Sequence, residues 1–433
     1  MAEWLQLLGH SESDIDALNV IHVAGTKGKG STCAFTESFL RAHGRRTGFP
    51  RKTGLYTSPH LIVPEERIRF DSVPIAQDTF AKYVFEVCDR LPQLGQEYDP
   101  TKTITERGPR SLQLYALVAF HAFISECVDV VILETHSGGE YDATNVVSRP
   151  IVTAVTSLGM DHVQMLGPTI ENIAWHKAGI FKQDAVALST TQDASPAGVL
   201  VERAKRKGQT LRFIDVDSAL PCGTVQLRPY VQKQNASLAR AAANALLAST
   251  RCSNPSQLSQ DDVDQGIEQW HWPGRFQMIA DEPRTWFVDA AHNEMSVRVA
   301  AEWFAESSIE ADPSATQVLI FTHISEHRDA EALLESLIEA LRSCNAHVSH
   351  VVFTSFKETE HTPDAVEEAR RDLFRSIWQT AFPQTTMWSE PTIPGAIRCA
   401  RFLSTEHPQR AMHILITGSQ HLIGPALLHL PAT

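Results

Sequence analysis

Val20-Ile21-His22-Val23-Ala24-Gly25-Thr26-Lys27-Gly28-Lys29-Gly30-Ser31-Thr32 runs from an apolar strand pattern, through a Gly-rich turn, into a helical pattern that ends near Gly44. That order is the setting a phosphate-binding loop requires. Glycines let backbone N–H groups turn towards a phosphate, and the helix start adds a partial positive charge. Lys29 is then placed to reach the β- and γ-phosphates of a nucleotide, with Ser31 or Thr32 near Mg²⁺. The match to G-x-x-x-x-G-K-[ST] is imperfect, because Val23 stands at the first Gly position and Gly30 separates Lys29 from Ser31. A Gly-rich turn without a ligand is the competing structural reading.

Outward from this turn, short apolar runs alternate with helical patterns, which signals α/β architecture with a largely parallel sheet. Strands are predicted at Val20–Ala24, Val128–Glu134, Ile151–Ser157 and Ala185–Leu188. Helices are predicted at Ala76–Leu91, Ser111–Cys127, Thr169–Gly179 and Gln232–Thr250. The pattern breaks at Trp272-Pro273-Gly274-Arg275 and then restarts. Strands at Thr285–Asp289, Gln317–Phe321, His350–Thr354 and His413–Thr417 follow, with helices at Glu294–Ser307 and Ala330–Cys344 between them. The expectation is a P-loop-type, mostly parallel sheet domain over residues 1–276 and a smaller Rossmann-like α/β domain over 277–433.

The 433 residues, 43% hydrophobic and 21% charged, are those of a globular chain with room for two cores. No run approaches the roughly 20 apolar residues that cross a bilayer. The start, Met1-Ala2-Glu3-Trp4, has neither a secretion signal nor an Arg-rich leader, so a cytosolic enzyme is expected. Seven scattered cysteines (33, 88, 127, 222, 252, 344, 399) without a CxxC argue for reduced thiols. A net charge of −13 without a basic block disfavours nucleic acid as a partner.

The GTKGKGS run, read with Thr57-Ser58-Pro59-His60-Leu61, resembles the folylpolyglutamate synthases, a branch of the Mur ligase superfamily. Further matches follow in family order: Glu134, Gly138-Gly139, Asp142-Ala143-Thr144-Asn145, Asp161-His162, Lys177-Ala178-Gly179-Ile180, Gln232, Asn235, Trp272–Arg275, Asp289-Ala290-Ala291-His292 and Thr417-Gly418-Ser419. The ordered set covers roughly residues 18 to 425 and is far more specific than any one motif.

The resemblance implies an ATP-dependent, amide-forming ligase. ATP phosphorylates a carboxylate, and an amino acid's amine then displaces phosphate. Two anions meet in the first step, so the site must supply cations. By resemblance, Gly25 to Thr32, Gln232, Asn235, Arg275 and Asp289 bind ATP. Lys29, Glu134, His162 and Lys177 are the catalytic set. Ser58, Glu134, His162 and a carbamylated Lys177 hold two Mg²⁺ ions, while His292 and Ser419 face the amino acid, glutamate by default. Domain closure would complete the site and exclude water. Small molecules are the expected partners, and a monomer the expected state.

Structural readings stand beside these roles. Ser58 is placed to cap a turn, Glu134 to end a strand in solvent, Lys177 to complement a helix dipole, and Asp289 and Ser419 to cap helices. The sequence also departs from the family at Glu134-Thr135-His136-Ser137, where Glu-Val-Gly is usual, and at Arg110–Tyr115, Pro64, Glu65 and Ala290. His136 puts a bulky ring where glycine allows close approach. These departures cluster on the carboxylate-substrate side. Folate polyglutamylation, ligation of another carboxylic acid, a silent nucleotide-binding regulator and a simple phosphotransferase therefore all stay open at this level.

Overall fold

The computed structural model describes residues 1–91, 101–102, 108–249, 251, 256–323, 329–357, 365–406 and 409–431. Cys252 and Thr250, which the sequence reading includes, lie outside them. The chain divides into two compact units, Met1–His271 and Trp272–Thr433.

The first unit is built on an eight-stranded sheet. Its strands are β1 Ile21–Ala24, β2 Thr53–Tyr56, β3 Ile68–Phe70, β4 Val73–Pro74, β5 Val130–Glu134, β6 Val152–Val155, β7 Val186–Thr190 and β8 Arg212–Ile214. The order is β4-β3-β2-β5-β1-β6-β7-β8. The β2–β3 and β3–β4 pairings are antiparallel, while every other pairing is parallel. All residues of β1, β2, β5 and β6 are buried, as expected of parallel strands covered on both faces.

This order places the site. β1 lies between β5 and β6; its connection runs to β2 on one side while β6 connects to β7 on the other, so a crevice opens beyond the carboxyl ends of these strands. Four segments emerge there: the Gly25–Lys29 turn after β1, Thr57–His60 after β2, the loop from Thr135 after β5, and Thr156–His162 after β6. The register sets Val23 of β1 opposite Glu134 of β5.

The second unit has a six-stranded sheet of β9 Gln277–Asp281, β10 Arg284–Val288, β11 Thr316–Phe321, β12 Val348–Phe353, β13 Thr386–Ser389 and β14 Met412–Thr417. The order is β13-β12-β11-β14-β10-β9, parallel except for the β9–β10 hairpin. Its core is aromatic, with Phe287, Trp303, Phe304, Phe321, Phe353, Phe374 and Trp378 packed together.

Candidate active site

The Gly-rich turn is shaped by two positions that only glycine fills. Gly25 has φ +148°, and a Cβ there would sit 1.8 Å from Thr156 Oγ1. Gly28 has φ +84°, and its Cβ would lie 2.2 Å from Asn235 Oδ1. Thr156 donates its hydroxyl to Lys27 O at 2.6 Å, and the Thr26 and Lys27 N–H groups donate to Ser157 O at 2.9 and 3.2 Å. The turn is thereby strapped to the end of β6. Gly28 is the N-cap of the 19-residue helix Lys29–Thr47, whose first N–H groups are left to serve a ligand. Thr32 is buried and turns its hydroxyl to Asn235 Oδ1 at 3.4 Å, and Ser31 is buried beside it.

Two lysines of the turn reach acids on neighbouring strand ends. Lys29 Nζ is 3.9 Å from Glu134 Oε1, and Lys27 Nζ is 3.4 Å from Asp161 Oδ2. Glu134 Oε2 accepts from the Ser58 N–H at 3.1 Å, so the β2 and β5 ends meet at one carboxylate. Glu134 is buried rather than solvated. His162 follows Asp161 with φ +52° at the start of the Val163–Leu166 turn of helix, and its N–H donates to Asp161 Oδ1 at 3.0 Å.

Lys177 is not a helix-end charge in water. Its side chain is buried, and Nζ donates to Gly25 O at 2.7 Å and Ser137 O at 3.0 Å. Burial first, and then the Lys29 charge, push its pKa well below lysine's ordinary value. Burial disfavours its charged form, and the two carbonyls pin it to the turn it supports.

Gln232 and Asn235 sit behind the turn on the helix Tyr230–Leu247. Asn235 Nδ2 donates to Gln232 Oε1 at 2.8 Å, and Gln232 Nε2 is a buried donor without a hydrogen-bond partner. A donor left so is costly unless a ligand acceptor meets it.

In the second unit, Asp289 Oδ2 accepts from Phe276 N at 3.0 Å, Arg275 Nη1 donates to Gly274 O at 3.1 Å, and His292 Nδ1 contacts Ala290 O at 2.8 Å. The helix after Asp289 is capped by Asn293, so capping does not explain Asp289. Ser419 does cap the last helix, accepting from His421 N at 3.2 Å.

The chain is 40% identical to folylpolyglutamate synthase of Neurospora crassa, a match over 99% of this chain and 84% of that protein. This chain belongs to the folylpolyglutamate synthase family. It is also 35% identical to the protein named probable folylpolyglutamate synthase of Schizosaccharomyces pombe, over 98% of this chain and 86% of that one. Among solved structures, Mycobacterium tuberculosis folylpolyglutamate synthase complexed with ADP and AMPPCP superposes with a TM-score of 0.79 at 25% identity, covering 99% of this chain and 94% of that one. No protein-family model matches the chain.

As a folylpolyglutamate synthase family member, the chain is expected to hold ATP and a divalent cation, and its residues fit both. The glycine-only turn, the helix start and the orphaned Gln232 donor suit a nucleotide. Ser58 and Glu134 put hard oxygen donors side by side, which suits Mg²⁺. Among the described residues no three His, Cys, Asp or Glu side chains converge on a metal position, so phosphate and water oxygens must complete the shell. His136 does not fill this space with a loose ring: it is folded between Tyr56 and Asp142. Sequence reading missed Tyr56 and Arg67. Arg67 is buried, donating to Ser58 Oγ and His60 Nδ1, each at 2.8 Å. A charged residue alternating with apolar ones in Arg67-Ile68-Arg69 was the available signal.

Proposed function

We propose that this chain is an ADP-forming ligase that uses ATP to join glutamate to the carboxylate of a folate. The observation that carries this reading is the meeting of the Gly25–Lys29 turn with Glu134, Lys29 Nζ lying 3.9 Å from its carboxylate. A phosphate cradle and a buried acid at neighbouring strand ends suit transfer of the γ-phosphoryl group to an organic acid.

In this reading the turn N–H groups and Lys29 hold the phosphates and offset the charge that builds as carboxylate and γ-phosphate approach. Ser58, Glu134 and His162 would hold Mg²⁺, which when bound neutralises phosphate charge. Gln232 and Asn235 fix the base side of the nucleotide, and Asn235 also backs Gly28. Lys177, buried against Gly25 O and Ser137 O, is a candidate for carbamylation by CO₂, which would convert it to an anionic oxygen donor for a second ion. Arg275 and Asp289 are assigned to the nucleotide, and His292 and Ser419 to the incoming glutamate. The acting unit is a single chain in the cytosol. No helix among the described residues is long and apolar enough to cross a membrane.

ADP release tests the reading. It should require tetrahydrofolate and glutamate together. Release that is indifferent to folate but dependent on another carboxylic acid would move the assignment to that acid. Release without any amine acceptor would make the chain a phosphotransferase.

A further inference from the structure

A buried run of hydrogen bonds joins the end of β5, two residues beyond Glu134, to the end of β2, two residues before Ser58. It begins at Asp142. Oδ2 accepts from the His136 N–H at 2.8 Å, while Oδ1 accepts from His136 Nδ1 at 3.0 Å, Thr144 N at 3.1 Å and Thr144 Oγ1 at 2.8 Å. Burial would raise this carboxyl, but the His136 and Thr144 contacts outweigh it and hold it well below the usual range. Thr144 Oγ1 in turn accepts from His22 Nε2 at 2.8 Å, which anchors the acid to β1.

A carboxylate only accepts, so His136 Nδ1 carries the ring proton, and Nε2 is left to accept from the Tyr56 hydroxyl at 2.8 Å. The side chains of His136 and Asp142 are only 5% and 3% exposed. Tyr56 ends β2, and across the β2–β3 hairpin Thr57 N donates to Arg67 O at 3.0 Å. Burial raises the Tyr56 phenol, and the Arg67 charge opposes that rise. Arg67 packs 4.5 Å from the Tyr115 ring centroid, and its Nη1 donates to Ser58 Oγ. Ser58 N–H then holds Glu134.

Each member has its partner fixed, and polar groups are expensive to bury for packing alone. We propose that Tyr56, His136 and Asp142 are positioning residues: they clamp the end of β2 to the end of β5, and so present the Ser58 hydroxyl and Glu134 to a divalent cation. The proposal rests on the reading of Ser58 and Glu134 as its oxygen donors. Outer partners of this kind are worth about 10- to 100-fold in metal affinity.

The test is the affinity of a non-hydrolysable ATP analogue, by calorimetry, with Mg²⁺ and with chelator. In the wild type Mg²⁺ tightens binding. Tyr56→Phe keeps the ring and removes the link, so it should lose about 10- to 100-fold of that gain while metal-free affinity stays put. His136→Asn should lose as much, and the double variant no more than either, because one link is cut twice. His136→Gln, with a donor and an acceptor, should keep more of the gain than His136→Ala. An unchanged gain in Tyr56→Phe, losses that multiply, or equal behaviour of the Gln and Ala variants would overturn the relay alone. A wild type that gains nothing from Mg²⁺ would overturn both the relay and the cation assignment beneath it.

Discussion

Replacing Gly28 by alanine should damage the turn in a way that the same change at Gly48 does not. Both glycines flank the helix Lys29–Thr47 in nearly the same left-handed conformation, φ +84° and +86°. Alanine at either pays roughly 1–2 kcal/mol for that backbone. The surroundings differ. At Gly48 nothing lies within 4 Å of a Cβ, whereas at Gly28 it would meet Asn235 Oδ1 at 2.2 Å and Cγ at 3.0 Å. Asn235 is buried and donates to Gln232, so its retreat breaks a hydrogen bond worth about 0.5–1.5 kcal/mol. Gly48→Ala should therefore lower stability by the backbone cost alone and leave nucleotide affinity within about twofold. Gly28→Ala should be less stable still and bind nucleotide about tenfold more weakly, since about 1.4 kcal/mol of turn distortion is a factor of ten. Thermal unfolding and calorimetric titration with an ATP analogue read both effects. Equal unfolding midpoints and equal affinities for the two variants would refute the steric argument and the cradle with it.

Three other outcomes follow from the same geometry. Lys29→Met should weaken ATP-analogue binding by about 10- to 100-fold, the worth of a charge-assisted phosphate contact, with the unfolding midpoint little changed. Buried His22 has its pKa lowered by burial from 6.5 to about 4. The unfolded chain takes up a proton near 6.5 that the folded chain refuses until about 4, so stability falls as pH drops through that window. The lost stability is about 3 kcal/mol, and His22→Gln should show correspondingly less loss in unfolding measured at pH 7 and pH 4. Intact mass of the protein kept in bicarbonate should show CO₂ bound at Lys177 and none in Lys177→Met, and a free amine under turnover conditions would reject carbamylation.

The parts of the fold legible in the sequence are those where local pattern and burial agree. The apolar run before Gly25 and the helical pattern beyond it become β1 and the Lys29–Thr47 helix, and the long periodic helices fall within a few residues of their predicted ends. β8 and β13 escaped because they are short and largely solvent-facing, with no apolar run to betray them. The helix predicted to stop at Ser307 continues to Ala311, because Ser308 is buried and bonds His413 Nδ1 at 2.7 Å instead of competing for the backbone. Motif residues at strand ends are legible in the same way, since Lys29, Ser58 and Glu134 need only the strand order to meet. The role of His136 is not, because its partner Tyr56 reaches it only once β2, which no sequence pattern announces, has paired with β5.

The most direct trial of the ligase reading is product mass. Purified protein with ATP, Mg²⁺, glutamate and tetrahydrofolate should convert the folate to a species heavier by a glutamyl residue, with one ADP released per residue added. ATP bound at the turn but neither ADP nor a heavier folate, under conditions where the protein is folded, would contradict it.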